Sequence, residues 1–220
     1  MRYRPIWQMT DETNQGRPLP SDLEAEFARR AKKQIRARAK AVRLGLPETA
    51  RNARSERIVA SLSELDVVRG ARGVALFWPM VERGEVDLRP LLGILRERGV
   101  STFFPFMEPK EGGFSTGFRE VRGESDLVEC GRGFVEPIAG PVAVRGQIDV
   151  VVVPALAVDS RGYRVGYGAG YYDATLGDLC PPAVSVVVCY DFELMAELPV
   201  EKHDVHCDLV ITDSRTLPSA

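Results

Sequence analysis

Asp149-Val150-Val151-Val152-Val153 is the stretch on which the fold turns. Four consecutive β-branched residues favour extended backbone. An apolar run without polar alternation describes a strand covered on both faces, the arrangement found in parallel sheets. Eight residues on begins Arg161-Gly162-Tyr163-Arg164-Val165-Gly166-Tyr167-Gly168-Ala169-Gly170-Tyr171-Tyr172-Asp173, followed by a predicted helix over residues 171–179. A buried strand, a glycine-rich loop and a helix form the unit whose open edge, beyond the carboxyl ends of the strands, binds ligands in α/β sheets.

The same alternation extends outward in both directions. Residues 73–78 (GVALFW), 100–106 (VSTFFPF), 184–189 and 209–212 read as strands, and residues 88–98 as a helix closed by Gly99. Between 108 and 147 Gly, Pro and Glu are frequent, and one short strand is predicted at 114–121. Towards the amino terminus a helix begins at Ser21, with Glu24 completing an S-x-x-E capping box, and stops near Leu44 before Gly45 and Pro47. Its apolar positions Leu23, Phe27, Ile35 and Val42 are sparse. A second helix covers 48–65, with Ile58, Leu62 and Leu65 on one face. Residues 1–20 show no period and read as a flexible N-terminal extension; residues 21–220 read as a single domain. The expected fold is α/β: a three-layer sandwich, with a mainly parallel, Rossmann-like open sheet and helices on both faces.

Composition narrows the function. Hydrophobic residues make up 45% and charged residues 27%, ordinary for a globular chain, and the net charge of −2 offers no global attraction to nucleic acid or membrane. The apolar run 148–158 is about half the length of a bilayer span. The first residues lack the apolar core of a signal peptide. Cys130, Cys180, Cys189 and Cys207 show no C-x-x-C spacing, so reduced thiols and a cytoplasmic location are expected. A monomer is the default expectation.

Two segments carry chemistry. Alternating glycines let the backbone approach a phosphate closely, and the amides at the following helix start face the anion. Arg164 adds a fixed charge, and Asp173 supplies a carboxylate of the kind Mg²⁺ prefers. The glycine string alone serves equally as a turn that lets helix and strand pack. It is neither a P-loop, having no G-x-x-x-x-G-K-[ST], nor a dinucleotide fingerprint. On the first helix Lys32 and Arg36 are four apart, so both leave one face. Eight basic residues lie between Arg29 and Arg43, a pattern that suits a polyphosphate or a solvated basic face. His203, His206 and Cys207 are close in sequence, but no second Cys/His cluster completes a zinc site, and both histidines read as structural.

The complete string R-x-G-x-G-x-G-Y-Y-D, Arg164 to Asp173, resembles the signature of 5-formyltetrahydrofolate cyclo-ligases, also called methenyltetrahydrofolate synthetases. The resemblance runs from about Lys32 to Asp213 in four further segments. Lys32-Lys33-Gln34-Ile35-Arg36 resembles the family's K-x-x-[LI]-R. Phe77-Trp78-Pro79-Met80 with Glu85-Val86-Asp87 resembles its Y-x-P-M … E-V-D, with Phe77 where Tyr is expected. Phe103-Phe104-Pro105-Phe106 resembles a short strand ending in proline, with Phe103 assigned to the core. Residues 197–208 with 211–213 resemble its closing L-P-x-x-x-H-D-x-x-x-D … T-[ED]; nearby, Glu193 stands where many members have Gln.

The resemblance implies an ATP- and Mg²⁺-dependent cyclisation of a reduced folate, 5-formyltetrahydrofolate, to 5,10-methenyltetrahydrofolate. It implies phosphate binding by Lys32, Arg36, Arg164 and the backbone of Gly166, Gly168, Ala169 and Gly170. Tyr167, Tyr171 and Tyr172 would line the nucleotide, with Tyr167 and Tyr171 also on the folate. Met80 would be an apolar wall and Glu85 the pterin anchor. Mg²⁺ would lie on Asp173 and Asp204, and Arg164, Tyr172 and Asp173 would carry catalysis. Two rivals stand beside it: a non-catalytic folate or nucleotide binder, and a sugar-phosphate isomerase or effector-binding domain of a related fold.

Overall fold

The computed structural model describes residues 21–131 and 134–219, with side chains from residue 23 onward. The expected flexible extension at 1–20 and the capping hydroxyl of Ser21 lie outside the described residues. Along the chain come α1 (Ser21–Gly45), α2 (Glu48–Glu64), α3 (Asp66–Arg69), β1 (Gly73–Ala75), α4 (Arg89–Glu97), β2 (Ser101–Lys110) and β3 (Gly113–Glu120). Then follow β4 (Leu127–Glu129), β5 (Val135–Pro137), β6 (Val150–Pro154), β7 (Ala157–Asp159), β8 (Arg164–Val165), α5 (Tyr171–Leu179), β9 (Val184–Val188), β10 (Leu194–Met195), β11 (Leu209–Ile211) and β12 (Thr216–Pro218).

The main sheet has seven strands in the order β12-β11-β9-β6-β1-β2-β3. Its five inner strands are parallel; β12 and β3 close the two edges antiparallel to their neighbours. β6 lies at the centre, and its four valines are fully buried. Val150 and Val152 pack with Ile58 and Leu62 of α2 and Leu91, Leu92 and Leu95 of α4. Val151 and Val153 pack on the opposite face with Leu176 of α5. Each such valine contributes about 1.5–3 kcal/mol by leaving water. The unbroken run thus specifies a strand with helices on both sides.

Two segments depart from the sequence pattern for identifiable reasons. β1 ends at Ala75: the Leu76 amide still bonds to the Phe103 carbonyl (2.8 Å), after which the chain leaves the sheet. Pro79 has no N–H to give to a ladder, and Trp78 and Met80 line the cavity beyond the strand. In residues 108–147 there is more than the single expected strand. β2 continues ten residues, through Pro105 and Pro109, and pairs with β3 in a long hairpin from Phe103↔Glu120 to Lys110↔Gly113. Pro105 is tolerated because the pairing of β2 with β1 ends at Phe103, so its missing N–H breaks no ladder bond on that side. β4 and β5 form a second, smaller hairpin.

α1 does not lie on either face of the sheet. It crosses the carboxyl edge, against β7, β8 and the 3-10 turn Val81–Arg83. Leu23, Phe27, Val42 and Leu44 are exposed, while Lys32 and Arg43 are buried. Ile35 joins a small apolar cluster of Ala157, Val165 and Leu198. No described helix is long and apolar enough to cross a membrane, and all four cysteines are free.

Candidate active site

Beyond β6 the chain reverses through β7 and β8 before the glycine loop begins. Asp159, fully buried, holds the reversal: its Oδ1 accepts the amides of Arg161 (3.0 Å) and Tyr163 (3.1 Å). Gly162 sits at φ +78°, and a Cβ there would collide with the carbonyl oxygen of Cys207. That close approach brings residues 201–208 beside the loop although some 40 positions separate them in sequence. The loop then runs to Gly170, at φ +69°, immediately before α5.

α1 grips the loop and the 201–208 segment from outside the sheet. Lys32 Nζ donates to Asp204 Oδ2 (2.5 Å) and Glu201 Oε2 (2.9 Å). Arg36 Nε donates to the Gly166 carbonyl (2.8 Å), and a Cβ on Gly168 would lie 3.5 Å from the same guanidinium. Lys40 Nζ lies 4.9 Å from the Tyr167 ring centre. Successive helical turns therefore place a cation on the acidic pair, one on the loop backbone and one on a loop aromatic ring.

Arg164 is buried under the loop. It donates to the Val205 carbonyl and, at 2.8 Å, to Asp173 Oδ1, which also accepts the Val205 amide (3.3 Å). Both contacts fall on Oδ1, so among the described residues the second carboxylate oxygen of Asp173 carries no hydrogen bond. Asp204 is similar: Oδ2 takes Lys32 and the Glu201 amide (2.7 Å), and Oδ1 faces His203 Nε2 at 3.9 Å. Glu201, His203 and Asp204 bring their ligand atoms within 4.8 Å of one another, the one such group among the described residues; Asp173 is not part of it. His203 is exposed rather than structural, with 70% of its side chain open at the cavity mouth. His206 is exposed as well, packing edge-on against Tyr163. Burial pushes the Cys207 thiol up to about 11, against the pull of Arg164, so it is no nucleophile.

Every residue that the sequence nominated, from Lys32 and Arg36 through Met80, Glu85 and the loop to Asp173 and Asp204, lines a single cavity of about 780 Å³. Its far wall is apolar: Phe77, Trp78, Met80, Pro105 and Phe106, with Phe114 and Phe134 at the rim. Phe103 is elsewhere, in the core with Ala75 and Phe118. Glu85 lies buried beside the apolar wall, its Oε2 accepting the Met80 amide (2.7 Å). Burial pushes its carboxyl above the ordinary range, against the pull of that amide and of Arg43. The Tyr171 hydroxyl donates to the Gly117 carbonyl of β3. The hydroxyls of Tyr167 and Tyr172 are buried without a hydrogen-bond partner among the described residues, and burial pushes both phenols up.

Glu193, which stands where many members of the family have Gln, is buried. It does not line the cavity; its carboxylate accepts two hydrogen bonds from Arg43, Nε to Oε1 (2.5 Å) and Nη2 to Oε2 (2.8 Å). Sequence reasoning missed Arg43, Glu201 and His203. The last two stood within the closing motif, and only the Gly162–Cys207 contact reveals what they face.

One end of the cavity thus presents cations, loop amides and open carboxylate oxygens, suited to a polyphosphate with a divalent cation. The other presents a flat apolar wall with one buried carboxylate, suited to a heterocycle with N–H donors. A profile of the 5-formyltetrahydrofolate cyclo-ligase family matches residues 28–213. A 5-formyltetrahydrofolate cyclo-ligase of Mycolicibacterium smegmatis is 34% identical over 190 residues, covering 84% of this chain and 95% of that protein. The Escherichia coli K12 protein of the same name is 32% identical over 138 residues, 60% of this chain and 74% of its own. The NMR structure of Aquifex aeolicus 5,10-methenyltetrahydrofolate synthetase superposes with a TM-score of 0.73 at 29% identity, covering 85% of this chain and 92% of that one.

Proposed function

This chain belongs to the 5-formyltetrahydrofolate cyclo-ligase family, and from that premise we propose that its cavity takes ATP at the glycine-loop end and 5-formyltetrahydrofolate at the aromatic end, closing the folate ring at the expense of ATP. The observation that carries the reading is the meeting, in one cavity, of a cation-clamped glycine loop with an apolar wall and its buried Glu85.

The chemistry follows from what the substrate lacks. A formamide oxygen is a poor leaving group. Transfer of the γ-phosphoryl group to it, with ADP departing, makes it a good one. N10 then attacks the formyl carbon and loses its proton, and the carbon–oxygen bond breaks to release phosphate and leave the methenyl product. Phosphoryl transfer demands positioning and charge neutralisation more than covalent help. Lys32, Arg36, Arg164 and the amides of 166–170 supply that charge and position. Tyr172, buried with an unpartnered hydroxyl, has a donor to offer a ligand oxygen. The residues also fit Mg²⁺: Asp173 and Asp204 each keep one oxygen without a hydrogen bond. Bound there, the ion would neutralise charge on the phosphate oxygens. Glu85, acceptor-only when ionised, matches the N–H edge of a pterin. The cytoplasm, with its reduced thiols, is the proposed location.

The test is direct. Purified protein with 5-formyltetrahydrofolate, ATP and Mg²⁺ should produce the near-ultraviolet absorbance of methenyltetrahydrofolate, and omission of either ATP or Mg²⁺ should stop it. Tight binding of folate and ATP without any absorbance rise would instead identify a binder that lacks turnover.

A further inference from the structure

Glu85 is the carboxylate on which the folate reading depends, and its surroundings are unusual. It is 5% exposed, and among the described residues its carboxylate ion-pairs with no guanidinium; its hydrogen bond is the Met80 amide at 2.7 Å. A cation does lie close behind it. Arg43 of α1 is 1% exposed, yet its Nε and one Nη are both directed to Glu193, and the same Nη bonds to the Ala155 carbonyl. Glu193 is itself fixed by the Tyr190 amide (3.0 Å). The backbones are tight here as well: a Cβ on Gly84, next to Glu85, would lie 3.1 Å from Arg43 Cβ.

We infer that Arg43 and Glu193 are a positioning pair: Glu193 takes up the charge of Arg43, leaves Glu85 without a full counter-cation, and thereby sets the pH below which Glu85 ceases to accept a pterin. The inference rests on the folate reading above. A pterin edge offers N–H donors, which an ionised carboxylate accepts and a protonated one meets with a donor of its own. Binding therefore requires the ionised form. A neighbouring positive charge favours that form, and a charge already neutralised at close range does so weakly. The other groups facing Glu85 are Arg83 from the 3-10 turn, whose guanidinium lies over the Tyr167 ring at 6.0 Å, and the phenols Tyr167 and Tyr172. On its outer side Glu85 borders a second cavity, of about 420 Å³, with Arg51 and Arg89 beside the carboxylates Glu48, Glu56, Glu82 and Asp87. Arg89 is bound to Asp87 (2.6 Å) and Arg51 to the Leu46 carbonyl (2.5 Å), so neither is directed at Glu85. Removal of one charge from the Arg43–Glu193 pair is thus the change that alters the field at Glu85 most.

The experiment measures the dissociation constant of 5-formyltetrahydrofolate without ATP, from about pH 5 to 8, for the wild type and three variants. The wild type should lose affinity on the acid side. Glu193→Gln, which leaves Arg43 uncompensated, should move that acid limb to lower pH. Arg43→Met should move it to higher pH, and Glu85→Gln should weaken binding throughout and abolish the limb. Removing one member of a buried pair strains folding, so each variant is first checked by circular dichroism; if Arg43→Met does not fold, the opposed behaviour of Glu193→Gln and Glu85→Gln decides alone. A limb unmoved in Glu193→Gln, or one that persists in Glu85→Gln, overturns the inference while leaving the folate site standing. A wild type that binds no folate at any pH overturns both.

Discussion

β6, at the centre of the sheet, and α1, across its carboxyl edge, are buried in opposite ways. β6 buries four consecutive valines completely, half against α2 and α4 and half against α5. α1 buries a lysine and an arginine, and leaves Phe27 55% and Leu44 59% exposed. The strand is held by removal of apolar surface from water, a non-directional effect that tolerates any well-shaped neighbour. The helix is docked by directed contacts: Lys32 to Asp204 and Glu201, Arg36 to the Gly166 carbonyl, Arg43 to Glu193. The difference teaches where function sits. Two of the charges that dock α1, Lys32 and Arg36, are those proposed above to meet the nucleotide, and both line the cavity, whereas the four valines of β6 do not.

The largest expected effect separates chemistry from both kinds of burial. Asp173→Asn keeps the shape of a side chain held by Arg164 and the Val205 amide, and removes the charge of an open oxygen. Turnover should fall about 100-fold or more, the scale of losing one transition-state contact. The free energy of unfolding should fall by no more than the ~1.5–3 kcal/mol of a hydrogen bond to a charged group, because Arg164 keeps an acceptor and loses its counter-charge. Steady-state rates beside an unfolding curve check this; retained turnover would remove Asp173 from the mechanism.

Lys32→Met tests whether charge docks the helix. Lys32 is 5% exposed, and its removal leaves Glu201 and Asp204, themselves mostly buried, facing one another. Stability should drop by about 3 kcal/mol, and the KM for ATP should rise. Both are expected together, because one ammonium serves docking and site. An unchanged unfolding curve would mean that α1 is held by its few apolar contacts instead, and the contrast with β6 would collapse.

The same contrast explains what the sequence made legible. Unbroken β-branched residues announce β6, and the string from Arg164 to Asp173 announces the loop, because both signals are contiguous. The long hairpin was hidden because Pro105 and Pro109 interrupt its pattern, and prolines are admitted only where a neighbouring strand has already ended. The docking of α1 was hidden because buried polar residues carry no period. Arg43 looks like any other member of a basic helix until Glu193, 150 positions away, is found against it. Glu201 and His203 were in plain view, but their nearness to Asp204 and to the loop follows from the Gly162–Cys207 contact, which no local pattern encodes.

Val152→Ala probes the other side of the comparison. The side chain is fully buried between α2, α4 and the neighbouring strands and contacts nothing in the cavity. Loss of two methyl groups should cost about 2 kcal/mol, read as a lower urea midpoint at unchanged slope. The KM values for ATP and folate should stay as they are. A raised KM would show that the sheet's packing is coupled to the site after all.

Phe27→Ser should have the smallest effect, and it is the one that a reading by hydrophobicity alone gets most wrong. Phe27 is one of the four sparse apolar positions of α1, and burial of a phenylalanine ordinarily contributes about 1.5–3 kcal/mol. On that view its replacement by serine would be among the more damaging changes in the helix. In the structure Phe27 is more than half exposed and belongs to none of the apolar clusters, while the buried residues of the same helix are Ala28, Lys32 and Arg43. Serine is a somewhat poorer helix former, a difference of a few tenths of a kcal/mol, and little else changes. Stability should therefore shift by less than about 0.5 kcal/mol, with turnover unaltered. A loss beyond about 1 kcal/mol would mean that Phe27 is covered in solution, and that α1 docks by apolar contact as β6 does.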